Sequence, residues 1–104
     1  MKILSKLVAF EWDKGNIDKN FKKHKVGDKE AEEIFRNEPK FIFGDDKHSD
    51  IEKRFMIWGR TNKKRTLAVF YTIRKNKIRI ISARDMHKKE RAIYYEKIKK
   101  NTKI

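Results

Sequence analysis

The segment IRIISARDMHKKER, at residues 78–91, surrounds the carboxylate of Glu90 with positively charged side chains. These cations are Arg79, Arg84, Lys88, Lys89 and Arg91. A guanidinium presents paired N–H donors, which fit two oxygens of a carboxylate or of a phosphate. The segment therefore predicts either an ion pair that ties a helix to a strand or a site that binds phosphate. The two interpretations are compatible, because an acid that orients an arginine also prepares it for a phosphate.

This segment begins as a predicted strand over residues 77–84 and ends as a predicted helix. Because alternate residues of a strand share a face, one face should carry Arg79, Ile81 and Ala83, and the other Ile78, Ile80 and Ser82. The helix is predicted to begin near Asp85 or Met86 and to end at about Lys99. At about 100° per residue, one stripe of this helix contains Met86, Glu90, Ile93 and Lys97. Glu90 is therefore expected near the face that docks on the sheet, within reach of the strand arginines.

The positive charge is concentrated in the second half of the chain. Residues 1–52 carry 11 Lys or Arg and 12 Asp or Glu, a net charge of −1, whereas residues 53–104 carry 18 and 3, a net charge of +15. Such asymmetry within one domain predicts a surface that faces a polyanion, such as RNA, DNA or an acidic protein. The alternative is a charge that serves only solubility.

The composition excludes several classes of site. The sequence has no Cys, so a disulfide framework, a thiolate nucleophile and a cysteine zinc site are excluded. The three histidines are scattered and the loop DDKHSD, at 45–50, lacks regular ligand spacing, so no metal or other cofactor is expected. No apolar run approaches the ~20 residues of a membrane span, and MKILSKLVAF lacks the features of a signal peptide. We therefore expect a cytoplasmic protein.

Two helices are predicted in the first half. Asp13 is expected to cap the first helix, which runs to about His24. Asp28 is expected to cap the second, which ends near Asn37. The residues expected on the buried faces are Ile17 and Phe21 in the first helix and Ala31, Ile34 and Phe35 in the second.

Five strands are predicted around these helices. They lie at residues 7–12, 40–44, 54–59, 66–74 and 77–84. Short polar connections separate the last four, which indicates an antiparallel meander. We therefore expect one α+β domain over residues 1–104, in which a mostly antiparallel sheet of about five strands carries two helices after the first strand and one at the C-terminus.

Several segments resemble the BrnT family of type II toxins. They are FEWD at 10–13, the residues Asn20, Lys23 and His24, the helix AEEIF at 31–35, the residues Asp46, His48, Ser49, Glu52, Arg54 and Gly59, and the segments GR at 59–60, VFYTIR at 69–74, IRIISAR at 78–84 and ER..Y at 90–94. The resemblance covers nearly the whole chain. It implies a RelE-like fold, an activity that cleaves RNA, and a BrnA-type ribbon-helix-helix antitoxin that neutralises the toxin. Operator DNA would be bound only through the complex with that antitoxin.

Three positions depart from the family pattern. Lys25 replaces a glycine that suits a left-handed helix exit, a conformation that costs lysine roughly 1 kcal/mol. His87 stands where relatives often carry a threonine that forms a capping box with Glu90. We therefore expect Asp85 to cap the last helix and Glu90 to be freer. Asn16 replaces a common lysine.

Cleaving RNA without a metal requires three tasks: deprotonation of the 2′-hydroxyl, stabilisation of the phosphorane and protonation of the 5′-oxygen. Arg79 and Arg84 are the main candidates for the phosphorane, and Arg60 is a third unless it is an ordinary solvated turn arginine. The candidates for proton transfer are Glu90, His24 and Lys23.

RNA binding outside the reacting phosphate is expected from the cations Lys88, Lys89 and Arg91 and from the aromatic residues Trp12 and Tyr94. An exposed ring could stack on a base, but core packing is the alternative for both aromatic residues. Phe55, Trp58, Phe70 and Tyr71 are expected in the sheet core.

Two other functional classes stay open from the sequence. The basic half would also suit a nucleic-acid-binding module without catalysis, or a protein whose basic surface docks an acidic partner.

Overall fold

The computed structural model describes residues 9–45 and 52–101. Within these ranges the chain forms a five-stranded sheet with three helices. The elements are β1 (Phe10–Glu11), α1 (Lys14–His24), α2 (Asp28–Arg36), β2 (Phe41–Gly44), β3 (Arg54–Arg60), β4 (Thr66–Arg74), β5 (Lys77–Asp85) and α3 (Lys88–Asn101). The predicted α+β class and order of elements are confirmed. Residues 7 and 8 of the first predicted strand, and residues 46–50 of the predicted loop, lie outside the described residues.

The sheet has the strand order β1-β5-β4-β3-β2. Strands β2 to β5 form the predicted antiparallel meander, and β1 pairs in parallel with β5. Lys75 and Asn76 connect β4 to β5 with φ values of 51° and 65°, the conformation of a two-residue hairpin turn. No helix in the described part of the chain is both long and apolar enough to cross a membrane.

Hydrophobic side chains cover both faces of the sheet. On one face, α2 packs Ala31, Ile34 and Phe35 against the strands, as predicted. On the other face, a smaller cluster joins α3 to the sheet. The smaller cluster consists of Trp58, Ala68, Met86 and Tyr94, with Phe41, Phe43, Met56 and Ile98 at its margin.

The α2 helix lies very close to β3. A Cβ atom at Gly59 would stand 2.9 Å from Ile34 Cβ, so a larger residue at this position would push the helix away from the sheet. At the start of α2 the capping residue is Gly27, and its N–H donates to Glu30 Oε1 at 3.1 Å. The prediction that Asp28 caps α2 is wrong by one residue, because Glu30 satisfies this N–H from within the helix.

The predicted cap of α1 is confirmed, but part of its buried face is not. Asp13 Oδ1 accepts from Gly15 N at 2.9 Å. Phe21, predicted to be buried, is 55% exposed, whereas Asn20 is buried and its Oδ1 accepts from Ala83 N at 3.4 Å. Packing against the backbone of β5 selects Asn20 for the inner face, which rotates its neighbour Phe21 towards solvent.

The α3 helix begins later than predicted and turns a different stripe inwards. Ile93, predicted on the docking stripe, is 48% exposed, whereas Tyr94 is fully buried. The Tyr94 ring packs edge-to-face on Phe41, and its hydroxyl donates to Pro39 O at 2.6 Å. The ring and its hydroxyl partner determine the phase of the helix, and that partner lies 55 residues away in sequence.

A β-bulge interrupts the alternation of β5. Ser82 pairs with Phe70 and Ile80 pairs with Tyr71, so Ile81 is an extra residue in the strand. The prediction that Ala83 faces away from Ile80 is therefore wrong, because the bulge reverses the alternation and both residues join the core cluster on the α2 side.

Arg65, in the connection between β3 and β4, joins three elements through all five of its N–H hydrogens. It donates to Asp85 Oδ1 at 2.7 Å and Oδ2 at 3.1 Å on β5, and to Glu30 Oε1 at 3.1 Å and Oε2 at 3.2 Å on α2. It also donates to the carbonyls of Lys25 at 2.9 Å and His24 at 3.2 Å. The hydrogen bond from Arg65 lowers the pKa of Asp85, against the effect of burial.

Lys25 ends α1 in the left-handed conformation, with φ 57° and ψ 34°. Its N–H donates to Phe21 O at 2.9 Å. This confirms the conformation expected from the glycine that Lys25 replaces.

We expect Lys25→Gly to raise the free energy of unfolding by about 1 kcal/mol, because glycine adopts the left-handed conformation without steric cost. Denaturant unfolding measures the change. The matched control, Lys22→Gly, removes the same side chain inside α1 and should lower the free energy of unfolding by about 1 kcal/mol. Equal destabilisation by both variants would contradict the assignment of strain to Lys25.

We expect Arg65→Lys to lower the free energy of unfolding by about 2 kcal/mol, because an ammonium has three donors and cannot reproduce the planar fork. Arg74→Lys is the control: the Arg74–Glu52 pair is 42% and 39% exposed, so this variant should lose less than about 0.5 kcal/mol. Thermal and denaturant unfolding of the two variants should separate them. Similar losses for both would mean that Arg65 is an ordinary surface arginine.

Candidate functional site

The bulge in β5 sets two arginines on the same face of the sheet. Arg79 pairs with Thr72 of β4, and Arg84 pairs with Ala68. Residues 68 and 72 are four apart on a strand with regular alternation, so they share the face that α3 covers. Simple alternation along β5 would instead have placed Arg79 and Arg84 on opposite faces. We call these two arginines, together with His87, Lys88, Lys89 and Arg91, the basic face.

Arg84 forms a forked ion pair with Glu90. Its Nη1 donates to Glu90 Oε1 at 2.8 Å, and its Nη2 donates to Oε2 at 3.1 Å. Nη1 also donates to Asp85 O at 3.1 Å, and the guanidinium lies 5.5 Å from the Phe70 ring centroid. The two charged side chains are only 19% and 18% exposed, so the pair is largely shielded from solvent. Two of the five N–H hydrogens of Arg84 have no partner among the described residues.

Glu90 has a second role at the start of α3. It accepts from His87 N at 2.8 Å, which is half of a capping box. The His87 Nδ1 atom lies 3.9 Å from Glu90 Oε1. Burial alone would raise the pKa of Glu90, but the hydrogen bonds from Arg84 and His87 N, with their charges, lower it. The expectation that Asp85 caps α3 is wrong, because Arg65 binds its carboxylate. The expectation that Glu90 is free of a capping contact is wrong as well, because Glu90 accepts from His87 N.

Arg79 does not join the ion pair. Its side chain is half-buried and makes no hydrogen bond or ion pair with any residue in the described ranges. It lies five residues from Arg84 along β5, which corresponds to roughly 15 Å. The sequence expectation that both arginines approach Glu90 therefore holds for Arg84 and not for Arg79.

The first turn of α3 adds three exposed cations to the basic face. Lys88 and Lys89 point to solvent, and Arg91 donates from Nη1 to Met86 O at 3.0 Å. Positive charge at a helix N-terminus opposes the helix dipole, whereas a bound anion would be favoured there. The helix dipole and the three cations therefore act together to attract anions to the start of α3.

Arg60 lies at the end of β3, on the α3 side of the sheet. It borders a pocket of about 250 Å³ lined by Asn37, Glu38, Arg60, Thr61, Asn62 and Lys64. Its Nε is buried without a hydrogen-bond partner among the described residues. Burial raises the pKa of Tyr94, and the charge of Arg60 opposes this rise. Arg60 is thus a half-buried side chain and not an ordinary solvated turn arginine.

Lys23 and His24 lie at the C-terminal end of α1, beside Arg65. The His24 carbonyl accepts from Arg65 at 3.2 Å. After the hydrogen bond and charge of Arg65 and the charge of Arg91, the charge of the His24 side chain also lowers the pKa of Asp85. Because adjacent strand residues point to opposite faces, Asp85 faces away from Arg84, so the structure does not join His24 to the Arg84–Glu90 pair. Proton transfer by Lys23 or His24 stays a prediction.

The structure favours the packing interpretation for both candidate stacking residues. Trp12 packs against the core cluster on the α2 side, and its Nε1 donates to Glu32 Oε2 at 2.6 Å. Tyr94 is fully buried, and the exposed aromatic side chain of α3 is its neighbour Tyr95. Neither predicted residue presents an open ring to the basic face in this conformation.

Sequence reasoning missed two residues of this region. Arg65 gave no signal, because its partners are spread over 60 residues of sequence. The contact of His87 N with Glu90 follows the capping-box spacing, which the sequence interpretation set aside because histidine lacks the hydroxyl of threonine. Within the described ranges, no group of three His, Cys, Asp or Glu residues is arranged to hold a metal ion.

Comparisons with known proteins agree with this architecture. A family model described as the ribonuclease toxin BrnT of type II toxin–antitoxin systems matches residues 12–90. The crystal structure of the Brucella abortus ribonuclease toxin BrnT superposes with a TM-score of 0.59 at 19% sequence identity, covering 78% of this chain and 99% of that one. At this identity the superposition establishes the fold alone. A search of curated proteins gave no significant match.

We expect Glu90→Gln to lower the free energy of unfolding at pH 7 by about 2 kcal/mol, because it weakens hydrogen bonds to a charged group. The folded-state pKa of Glu90 is lowered from 4.5, so the contribution of the carboxylate is complete above that value and is lost as pH falls through the folded pKa. The difference between parent and variant should therefore shrink as pH falls below about 4.5.

Urea unfolding between pH 7 and pH 3 measures this difference. Glu52→Gln is the control, because its pair with Arg74 is exposed and should contribute little at any pH. A difference for Glu90→Gln that stays constant over this range would show that the Glu90 charge does not stabilise the fold.

Proposed function

The chain belongs to the BrnT family of ribonuclease toxins of type II toxin–antitoxin systems, and we propose that it is itself a metal-independent endoribonuclease. The substrate is RNA, which the basic face binds through its phosphates. The enzyme acts in the cytoplasm. An antitoxin with a ribbon-helix-helix fold, of the BrnA type, neutralises it.

The observation that carries this proposal is the placement of Arg79 and Arg84 on one face by the bulge at Ile81. Glu90 holds the Arg84 fork in one orientation while two N–H hydrogens of Arg84 lack a partner among the described residues. A guanidinium fixed in this way is prepared for a phosphate oxygen before RNA binds, which lowers the reorganisation needed in the transition state.

In this proposal Arg84 stabilises the charge that develops on the phosphorane. Arg84 donates to an oxygen of the reacting phosphate, and Arg79 contacts the RNA further along β5. Lys88, Lys89 and Arg91 bind neighbouring phosphates through charge. Arg60, on the same side of the sheet, is a further candidate contact. Glu90 positions Arg84, because a carboxylate with a lowered pKa is a poor proton donor near neutral pH.

Metal independence has a direct test. Purified protein is incubated with single-stranded RNA in excess EDTA, and the products are examined for 5′-hydroxyl ends. Cleavage that survives EDTA and leaves these ends supports the proposal. A salt-sensitive gel shift with intact RNA would instead indicate a binding module without catalysis.

We expect Arg84→Ala to lower the rate of RNA cleavage by about 100-fold, the scale of losing one transition-state donor. Arg84→Lys should restore little activity, since an ammonium lacks the paired donors. Arg79→Ala should lower the affinity for RNA, and with it the rate at limiting RNA, because it removes a contact outside the reacting phosphate. Circular dichroism and thermal unfolding must show that each variant is folded, because Arg84→Ala also leaves Glu90 without its partner.

Arg36→Ala is the matched control. Arg36 is an exposed arginine of α2, on the opposite layer, where its guanidinium lies 5.2 Å from the Phe10 ring centroid. The Arg36→Ala substitution removes the same charge outside the basic face, and this variant should cleave RNA at the parent rate. Folded alanine variants of Arg79 and Arg84 that cleave as fast as this control would place the active site elsewhere, with Lys23 and His24 as the next candidates.

The antitoxin should cover the second half of the chain, which carries a net charge of +15 and would attract RNA if left open. Hydrogen exchange of the complex should therefore show protection within residues 54–101. The α2 helix, which carries two cations and four anions, supplies an internal control that should change little. A footprint confined to residues 28–52 would contradict this mode of neutralisation.

A further inference from the structure

Phe70 lies in β4, the central strand of the sheet. It shares a face with Ala68, two residues before it, and Ala68 belongs to the cluster that joins α3 to the sheet. Phe70, predicted in the sheet core, nevertheless joins neither apolar cluster among the described residues and is only half-buried. Packing in the described part of the chain therefore does not account for a large ring at this position.

The surroundings of the Phe70 ring are polar and positively charged. Ser82 pairs with Phe70 across β5, and the Arg84 guanidinium lies 5.5 Å from the ring centroid. Arg79 pairs with Thr72, the next residue of β4 on this face. Along the strand, the ring therefore lies between the two arginines of the basic face.

Arg84 keeps one edge of its guanidinium for a ligand. Nη1 donates to Glu90 and to the Asp85 carbonyl, and Nη2 donates once to Glu90. The N–H groups without a partner among the described residues are therefore the one on Nε and the second on Nη2. These two groups are parallel and fit two oxygens of a phosphate, while the pair with Glu90 stays intact. A nucleotide bound through this phosphate has a base close to the Phe70 ring.

From this geometry we propose that Phe70 is the residue on which an RNA base stacks, beside the phosphate that Arg84 binds; the inference rests on the proposed ribonuclease function and deepens it. Every base has a π face, so such a ring adds affinity with little sequence preference. The occupant is single-stranded RNA, because an unpaired base can leave its neighbours and stack on a side chain. Arg79 and Arg84 attract the phosphates on either side.

The first test is Phe70→Leu, which keeps an apolar side chain but removes the π face. The probe is a single-stranded oligoribonucleotide with a 2′-O-methyl group at every position, which cannot be cleaved because it has no free 2′-hydroxyl. The variant should bind this probe about 10-fold more weakly than the parent, the scale of one stacked base. Phe70→Trp should bind it at least as tightly as the parent.

Phe55→Leu is the matched control. Phe55 is a half-buried ring on the opposite face of the sheet, where it stacks on Tyr71 with the centroids 5.4 Å apart. The control should lower the melting temperature and leave the RNA affinity unchanged. Phe70→Leu should do the reverse, because Phe70 belongs to neither apolar cluster of the described residues.

A second probe tests whether the lost contact is with a base. It is an abasic strand with the same length and the same number of phosphates. The parent and Phe70→Leu should bind this strand equally, whereas they differ by about 10-fold on the strand that carries bases. An equal loss of affinity on both strands would overturn the inference, because Phe70 would then act only by packing against Arg84.

The outcomes distinguish this inference from the proposed function. If the parent cleaves RNA in EDTA and Phe70→Leu binds both probes as the parent does, the protein is a ribonuclease but Phe70 is not its stacking residue. If the parent leaves RNA intact and Phe70→Leu loses affinity only for the strand with bases, the stacking site is supported and the proposed catalysis is wrong.

Discussion

The Arg65 guanidinium fixes how the two N-terminal helices meet the sheet. Its fork holds Asp85 at the end of β5, Glu30 near the start of α2 and the carbonyls that end α1. In the turn between α1 and α2 the Val26 side chain is buried in the core cluster, and the charged hydrogen bonds of Arg65 add to this packing. The same contact anchors the end of β5, which is the point where α3 and the basic face begin.

The basic face itself contains too little negative charge to neutralise it. Among the described residues, Glu90 is the carboxylate that pairs with this face, and it is shared between Arg84 and the backbone of His87. Lys88 and Lys89 at the start of α3 oppose the helix dipole. This electrostatic repulsion is confined to one region of the surface. The apolar clusters on the two faces of the sheet stabilise the fold independently of the basic face. A surface of this kind is stabilised when an anion, or an acidic partner, binds to it.

Sequence patterns predicted the elements well where one strong periodicity acts. The strands from β2 to β5 alternate or run apolar between short polar turns, and α2 presents a narrow stripe of three buried residues. The errors fall where two side chains compete for the inner face. In α1 the polar Asn20 is inside and Phe21 outside, and in α3 Tyr94 replaces Ile93. In both cases a hydrogen bond to a distant backbone group decides the phase, and periodicity carries no information about such a partner.

The sequence by itself determined the class of fold, the separation of charge between the two halves, and a strand-to-helix segment in which arginines lie near Glu90. It also determined the strained exit of α1 at Lys25, through comparison with the family pattern. The tertiary structure alone decided which residues share the basic face. A single extra residue at Ile81 reverses the alternation of β5, and so Arg79 and Arg84 lie on one side. Strand parity is a local property, whereas a bulge depends on how β4 and β5 pair, and that pairing is established only when the sheet forms.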